Sequence, residues 1–170
     1  MDQILIDLRN EMTRCVRSGS NDRFKDLYKS NCELQGIKKW LHVASSTGNL
    51  ELVEFLLNSG FDPNEYDSSS IPQRSLTVAC REGHMAVARC LIAADAPLNV
   101  DDIDDNALFS AIHARSLDCV KLLVDAGIDI HKVYDLGHRH KNALAFAEEE
   151  GCTDIAKFLR EHGAVLPPAK

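Results

Sequence analysis

One pattern of residues occurs four times along this chain at nearly regular spacing, and this repetition constrains the fold more than any single residue does. Each copy has a Leu, an Ala three residues later, a turn, and a second apolar stretch. The copies begin 35, 32 and 36 residues apart, at Leu41, Leu76, Leu108 and Leu144. A unit of about 33 residues built from two helices buries its apolar face only against its neighbours. The sequence therefore predicts an all-α solenoid of stacked helix–turn–helix repeats.

The alignment of the four copies gives each column a structural role. The small Ala of each copy predicts a crowded contact between its own helices and the next repeat, at Ala44, Ala79, Ala111 and Ala147. In three copies a Gly follows the first helix, where a left-handed turn is needed, at Gly48, Gly83 and Gly151. The third copy has Arg115 in that position, so we expect its turn to be strained or slightly different.

Degenerate copies lie at both ends of the chain. The segment from Met12 to Gly19 aligns with Leu41 to Gly48, and the last copy has Arg160 where the others have an apolar residue. Terminal repeats have one face without a neighbour and are therefore more polar. We predict a single domain over residues 1–170 with capping repeats at 1–35 and 138–170 and three full repeats between them, at 36–70, 71–102 and 103–137.

Together these columns resemble the ankyrin repeat, and the resemblance extends over essentially residues 10–166. The usual Thr-Pro-Leu-His start of that repeat is eroded, because only the copy that begins at Leu41 keeps the His, as His42. In the family this Thr–His pair pins the loop between repeats, called the finger, onto the helix. Its loss implies looser fingers, and two of the fingers are also long, at residues 66–73 and 131–142.

The resemblance implies a non-catalytic protein-binding module. Its partner would contact the finger tips and the first helix of each pair, which line the concave face. Column by column, the positions that we expect to contact the partner are Tyr66, Arg81, Glu82, Asp101, Asp102, Ile103, Asp104, Asp105, His113, Val133, His138, Arg139, Glu149 and Glu150. Further contact positions of the family fall at Lys38, Ser46, Thr47, Ile71, Gln73 and Lys141.

The run Asp101-Asp102-Ile103-Asp104-Asp105 is strongly acidic and lies on a finger. Residues 62–105 carry nine acidic and three basic groups, whereas residues 1–40 carry six acidic and eight basic groups. An acidic surface favours a basic protein partner and fast, electrostatically steered association. It disfavours nucleic acid, because phosphates need clustered Lys and Arg. A merely solvated loop is the alternative, and a calcium site is disfavoured because the run lacks the spaced ligands and the Gly of an EF-hand loop.

Two further features have both a functional and a structural interpretation. His131, His138 and His140, with Asp135, could bind Zn²⁺, but no Cys pair or helical His spacing supports this. We therefore predict a polar loop and no metal. Trp40 could anchor a partner or pack over the N-terminal capping repeat, and the cost of leaving so large a ring in water favours packing.

The cysteines predict a reducing environment, because the six of them are irregularly spaced and form no Cys-x-x-Cys pair. The start of the chain shows no secretory signal, so we expect a cytoplasmic protein. No apolar run approaches the roughly 18 residues that span a bilayer. Cys152 aligns with a variable position and is expected to be exposed, whereas the others align with apolar positions and are expected to be buried: Cys15, Cys32, Cys80, Cys90 and Cys119.

Catalysis has no support in the sequence, because no nucleophile–base motif, phosphate-binding Gly loop or metalloprotease motif occurs. We predict no catalytic residue, no cofactor, and a monomer that binds one basic protein but neither nucleic acid nor membrane. This chain is small and acidic, with a net charge of −7. In this it resembles bacterial ankyrin proteins, some of which are immunity proteins that neutralise a cognate toxin. The resemblance implies such an inhibitor. The alternatives are an adaptor or scaffold for an endogenous complex, and an end-to-end oligomer, which the polar capping repeats disfavour.

Overall fold

The computed structural model describes residues 3–35, 37, 39–66, 73–98, 101–137 and 140–168. Within them the chain forms five pairs of antiparallel helices and one short hairpin. The first helices of the pairs are α1 Gln3–Ser18, α3 Lys39–Ser46, α5 Ser75–Arg81, α7 Ala107–His113 and α9 Ala143–Glu149. The second helices are α2 Asn21–Ser30, α4 Leu50–Asn58, α6 Met85–Ala93, α8 Leu117–Asp125 and α10 Thr153–Glu161.

The pairs stack in chain order and so form the predicted solenoid. First helices pack against first helices, in the order α1, α3, α5, α7 and α9, and second helices pack likewise from α4 to α10. The hairpin belongs to the finger before α9, where β1 Tyr134–Asp135 pairs antiparallel with β2 His140–Lys141. One continuous apolar core runs through the stack. The all-α repeat architecture predicted from the sequence is therefore confirmed.

Burial in the core follows the repeat columns. The Ala side chains at the fourth position of each copy are 0% exposed, which explains why no larger residue stands there: Ala44, Ala79, Ala111 and Ala147. The Leu of the first helix is also buried in every copy. In the last copy Arg160 is exposed and forms an ion pair with Glu148. The C-terminal repeat thus presents a polar side to water, as a capping repeat must.

The turn between the two helices of a pair is left-handed in every full repeat. Gly48 and Gly83 have φ values of 71° and 75°. Arg115 adopts the same conformation with φ 55°, although it is not a glycine. A side chain in this region costs about 1–2 kcal/mol, because its Cβ approaches the carbonyl oxygen. The strain predicted for the third repeat is therefore present.

Trp40 packs inside the protein and does not stand out as a binding anchor. Its side chain is 0% exposed, and its ring meets Phe24 edge-on at a centroid distance of 5.5 Å. The indole Nε1 donates a hydrogen bond to the carbonyl oxygen of Leu34 at 3.4 Å. Trp40 therefore joins α3 to the N-terminal repeat, and the packing interpretation is correct.

The cysteine predictions need three corrections. Cys152 was expected to be exposed, but it is buried and its thiol lies 3.6 Å from the carbonyl oxygen of Ile112. It immediately precedes α10, and this position lies against the preceding repeat. Cys32 was expected to be buried but is exposed, because it lies in a short 3₁₀ turn after α2, at the uncovered end of the stack. Cys90 is only partly buried.

Candidate protein-binding site

A groove opens between the finger of residues 101–106, the finger hairpin and the helices α5, α7 and α9. We call it the finger groove. Its volume is about 240 Å³, and it is lined by Arg81, Ile103, Asp104, Phe109, Ser110, His113, Lys141 and Phe146. Five of these residues are contact positions predicted from the sequence. The groove therefore gathers residues of three successive repeats on the face formed by fingers and first helices.

The floor of the finger groove is aromatic. The Phe109 ring is nearly buried and lies 4.9 Å, centroid to centroid, from the ring of Phe146 on the next first helix. On its other side Phe109 contacts Tyr134 of the hairpin at 5.3 Å. Ile103 packs against the core at the finger edge. These ring contacts stabilise the aromatic floor.

Two cations at the rim of the groove are already engaged by neighbours. Arg81 donates hydrogen bonds to Gln73 and to Glu82, the latter at 3.1 Å. The ammonium group of Lys141 lies 2.6 Å from Glu149 and 4.7 Å from the centroid of the Phe146 ring. Each positive charge is thus compensated by a carboxylate beside it. The rim consequently carries no net positive charge from these pairs.

The acidic finger contributes uncompensated negative charge. Asp101 lies 3.0 Å from Lys132, and the hydrogen bond between them raises the pKa of Lys132. Asp102 accepts a hydrogen bond from the backbone N–H of Asp104 at 2.9 Å, which shapes the finger tip. Within the described residues the exposed carboxylate of Asp104 makes no ion pair. Asp102 and Asp104 therefore give the groove its negative edge.

Asp105 was predicted to belong to the exposed acidic surface, but it is buried. Its side chain is 0% exposed and forms an ion pair with Arg74. The carboxylate also accepts hydrogen bonds from the Arg74 backbone N–H at 2.9 Å and from the Thr77 hydroxyl at 2.8 Å. A carboxylate satisfied in this way inside the protein offers nothing to a partner. Asp105 therefore holds the finger in place and does not contribute to the exposed acidic surface.

The fingers are pinned by side chains that replace the eroded Thr–His pair. Asp105 ties one finger to α5 through Arg74 and Thr77. Asn106 accepts hydrogen bonds from the first backbone N–H groups of α7 and donates one to the Tyr134 hydroxyl at 2.7 Å. The finger of residues 101–106 is thereby joined to α5 and to the hairpin finger. These contacts provide an attachment other than the Thr–His pair, and the looser fingers stay a prediction.

The other predicted contact residues lie around the groove rather than in it. Tyr66 is 40% exposed and its ring is covered on one side by the Arg74 guanidinium at 4.2 Å. Val133 is 42% exposed on the hairpin finger, and Glu150 lies 3.7 Å from His113. Four predicted positions lie outside the described residues: Lys38, Ile71, His138 and Arg139.

The histidines of the long finger make ordinary local contacts where they are described. The His131 backbone N–H donates to Asp129 at 2.8 Å, and the His140 ring lies 3.2 Å from the carbonyl oxygen of Pro168. Over the part of the chain that the structure describes, no group of three or more His, Cys, Asp or Glu side chains could hold a metal ion. His138 is outside that part.

Two buried thiols, those of Cys80 and Cys119, have pKa values shifted in opposite directions. A hydrogen bond between Cys80 and Cys119 raises the pKa of Cys80 and lowers that of Cys119 to about 6. Both side chains are 0% exposed in the core. A reactive thiolate needs a partially exposed, electropositive environment. The pair therefore gives no nucleophile that a substrate could reach.

A larger depression lies on the row of second helices, between α6 and α8. Its volume is about 590 Å³, and its lining includes Met85 and Leu122 together with four charged residues. The two positive charges, Arg89 and Lys121, balance the two negative ones, Asp118 and Asp125. This depression therefore has no net charge with which to attract a partner, in contrast to the finger groove.

Sequence analysis missed the aromatic floor. Phe109 and Ser110 on α7 and Phe146 on α9 line the groove but were not among the predicted contact residues. A signal was present, since Phe109 stands in the column of His42 and Thr77, and Phe146 stands in the column of Val43 and Val78. A large ring where other copies have a smaller residue marks a local departure from pure repeat packing.

Comparison with known proteins gives one family. The family model described as ankyrin repeats matches residues 41–134 and 105–167. No helix within the described ranges is both long and apolar enough to cross a membrane.

Three relatives show how broadly this repeat is distributed. The chain is 32% identical over 127 residues to the nuclear factor NF-kappa-B p105 subunit of Gallus gallus, covering 72% of this chain and 12% of the relative. It is 32% identical over 119 residues to a putative ankyrin repeat-containing protein of Treponema pallidum, covering 69% and 38%. It is 29% identical over 125 residues to the ankyrin repeat and KH domain-containing protein mask-1 of Caenorhabditis elegans, covering 71% and 4%. The chain thus spans well under half the length of each of these relatives.

Proposed function

We propose, because this chain belongs to the ankyrin-repeat family, that it binds a protein partner through the finger groove and inhibits that partner. Members of the family generally act in protein–protein interaction and not in catalysis, so the proposal assigns no catalytic residue and no cofactor. The partner is one basic protein. We propose further that the chain is a monomer in the cytoplasm, where its six free cysteines stay reduced.

The observation that carries the proposal is the combination of an aromatic floor and a negative edge. Phe109 and Phe146 form the floor, while the exposed carboxylates of Asp102 and Asp104 form no ion pair within the described residues. Binding energy at protein interfaces comes mainly from a few apolar anchors in well-packed pockets, and charges at the rim set the rate of encounter. A partner that inserts an apolar side chain next to a Lys or Arg would satisfy both parts of the groove.

The size of the groove supports a protein partner over a small-molecule ligand. Its volume of about 240 Å³ is below the roughly 300–1,000 Å³ typical of small-molecule sites. The groove is also open to solvent along its length, so it cannot enclose a ligand. It is large enough for one side chain of a docked protein, with the fingers on either side extending the contact.

An immunity protein is the specific role that we propose. An acidic protein that masks a basic toxin would use the negative edge of the groove both for rapid capture and for discrimination against acidic proteins. Asp102 and Asp104 supply this edge, because the other charged groups at the rim, Arg81 with Glu82 and Lys141 with Glu149, compensate each other. The role would require tight binding to a single target.

The relatives favour a second candidate, an adaptor in an endogenous complex. In the three relatives described above the matching segment covers only 12%, 38% and 4% of the whole protein. Their names indicate no common partner. An ankyrin segment that works beside other domains would be expected to hold several proteins together, each with moderate affinity.

The negative edge can be tested with two variants of equal charge. We expect D102N/D104N to associate with the partner about threefold or more slowly at low salt, with the difference shrinking as salt screens the charges. D118N/D125N removes the same charge from the second-helix row and is expected to keep the wild-type rate. The measurement is the association rate, by surface plasmon resonance, of the protein captured from a lysate of the source cell by immobilised wild type. Equal rates for D102N/D104N and wild type would refute the proposed site.

The captured protein also separates the two candidate functions. A single basic protein that is toxic when expressed alone and harmless when expressed with this chain would support the inhibitor. Several captured proteins, none of them toxic, would support the adaptor instead. In either case the rate measurement still tests whether the finger groove is the contact surface.

A further inference from the structure

The opposite end of the finger face carries a cluster of positive charge. On α1, Arg9, Thr13 and Arg17 are spaced by four residues and therefore lie along one side of the helix. This helix packs against α3, which begins with Lys39. The ammonium group of Lys39 lies 3.5 Å from the Thr13 hydroxyl. We call Arg9, Thr13, Arg17 and Lys39 the basic cluster.

Lys39 is held in position by the N-terminal repeat. Its side chain is partly buried, and its ammonium group lies 4.8 Å from the centroid of the Trp40 ring. The Thr13 hydroxyl donates to the Arg9 carbonyl at 2.8 Å, which fixes the oxygen that faces Lys39. Burial lowers the pKa of Lys39, and the positive charges of Arg9 and Arg17 lower it further. The ammonium group is thus fixed among like charges.

Within the described residues Lys39 differs from three other partly buried or buried cations, because each of those is paired with a carboxylate. Lys25 pairs with Glu51, Arg74 with Asp105, and Lys141 with Glu149. Across the described ranges neither Lys39 nor Arg17 forms an ion pair with an acidic side chain. Like charges held together oppose folding unless something compensates them. A ligand that brings negative charge would relieve that repulsion.

We propose that the basic cluster binds a carboxylate group of an acidic protein segment, with Arg17 and Lys39 as its direct contacts. Phosphate offers similar chemistry, but the surroundings favour a short acidic segment over a nucleic acid. The chain has a net charge of −7, and the acidic finger on the same face would repel a long polyanion. The inference rests on the proposed function only in taking the ligand to be part of a protein. It does not depend on the finger groove.

Trp40 provides a built-in probe for this site. It is the only tryptophan of the chain and lies directly beneath Lys39. A carboxylate that pairs with Lys39 changes the electrostatic field at the indole ring and hence its fluorescence. The experiment titrates the whole protein with a hexaglutamate peptide at constant ionic strength while tryptophan emission is recorded. A parallel titration uses sodium phosphate, and a third uses hexalysine.

We expect a saturable change with hexaglutamate, none with hexalysine, and an affinity about tenfold weaker in K39Q and in R17Q, since each removes a charge-assisted hydrogen bond. R17Q changes an exposed residue, so it keeps the test valid if K39Q disturbs packing over Trp40. The matched control is K29Q, which removes one positive charge from the exposed last turn of α2. It is expected to leave the affinity within about twofold, because charges beyond a Debye length are screened.

Three results would overturn the inference: no saturable change in the wild type, an unchanged affinity in both R17Q and K39Q, or saturation by phosphate at lower concentration than by the peptide. The D102N/D104N variant separates this site from the finger groove. It is expected to bind hexaglutamate at least as tightly as the wild type, because it removes repulsion. A failure of the basic cluster would therefore leave the proposed function of the finger groove untouched, and the reverse also holds.

Discussion

Replacing Asp105 by Ala is expected to destabilise the protein by about 3–5 kcal/mol, the usual cost of removing one partner from a buried ion pair. The Arg74 guanidinium would keep its contacts with the Asn64 carbonyl oxygen and the Tyr66 ring but lose its counter-charge. The Thr77 hydroxyl and the Arg74 backbone N–H would lose their acceptor as well. The measurement is the free energy of unfolding in urea, followed by circular dichroism.

The neighbouring carboxylate supplies the control for this measurement. Asp104 is exposed and makes no ion pair within the described residues, so D104A is expected to change the free energy of unfolding by no more than about 0.5 kcal/mol. Two adjacent aspartates would then differ by several kcal/mol although the sequence treats them alike. A loss below about 1 kcal/mol for D105A would show that the ion pair does not hold this finger.

Replacing Gly48 by Ala is expected to cost about 2–5 kcal/mol. The residue has φ 71°, which costs an L side chain about 1–2 kcal/mol. An added Cβ would also lie 2.6 Å from Nδ1 of His84. The ring would have to move, losing its contact with the Ser46 carbonyl oxygen at 3.2 Å, and overpacking of this kind costs about 1–3 kcal/mol.

A Gly83→Ala variant separates the backbone cost of the positive φ from the cost of overpacking against His84. Gly83 occupies the same turn one repeat later with φ 75°, but no atom lies within 4 Å of an added Cβ. We therefore expect G83A to lose only the backbone part, about 1–2 kcal/mol. Both losses are read from the midpoint of urea unfolding at unchanged slope. Equal losses for G48A and G83A would show that His84 yields without cost.

The repeat columns could be predicted because they record packing against a neighbouring copy. Leu108 and Ala111 occupy positions where every copy meets the same surroundings, so their roles were visible in the sequence alone. The same reasoning predicted the left-handed turn at Arg115. These features depend only on which residue stands in which column.

Interactions between different columns of neighbouring repeats could not be predicted in this way. Arg74 and Asp105 are 31 residues apart and lie in similar slots of adjacent repeats, so they meet across the stack. Counting charge along the chain placed Asp105 in an acidic surface, because a count does not show which carboxylate has a partner. Pairing of opposite charges about one period apart is the signal that would have separated Asp105 from Asp104.

The prediction that Cys152 is exposed was wrong for a related reason. Its counterparts in other copies are polar residues such as Asn49 and His84, which suggested an exposed position. These residues precede the second helix and reach back to the preceding repeat: His84 contacts the Ser46 carbonyl oxygen and Cys152 lies against Ile112. Polarity in this column therefore reflects contact with a neighbouring backbone and not exposure to water.

The proposed function depends most on a protein partner that occupies the finger groove. Hydrogen–deuterium exchange of the chain, free and bound to its captured partner, tests this claim without any mutation. We expect slower exchange in the bound state at residues 101–113 and 143–149, which contain the negative edge and the aromatic floor. Protection confined to α6 and α8, around the depression lined by Met85 and Leu122, would contradict the claim and move the binding site to the row of second helices.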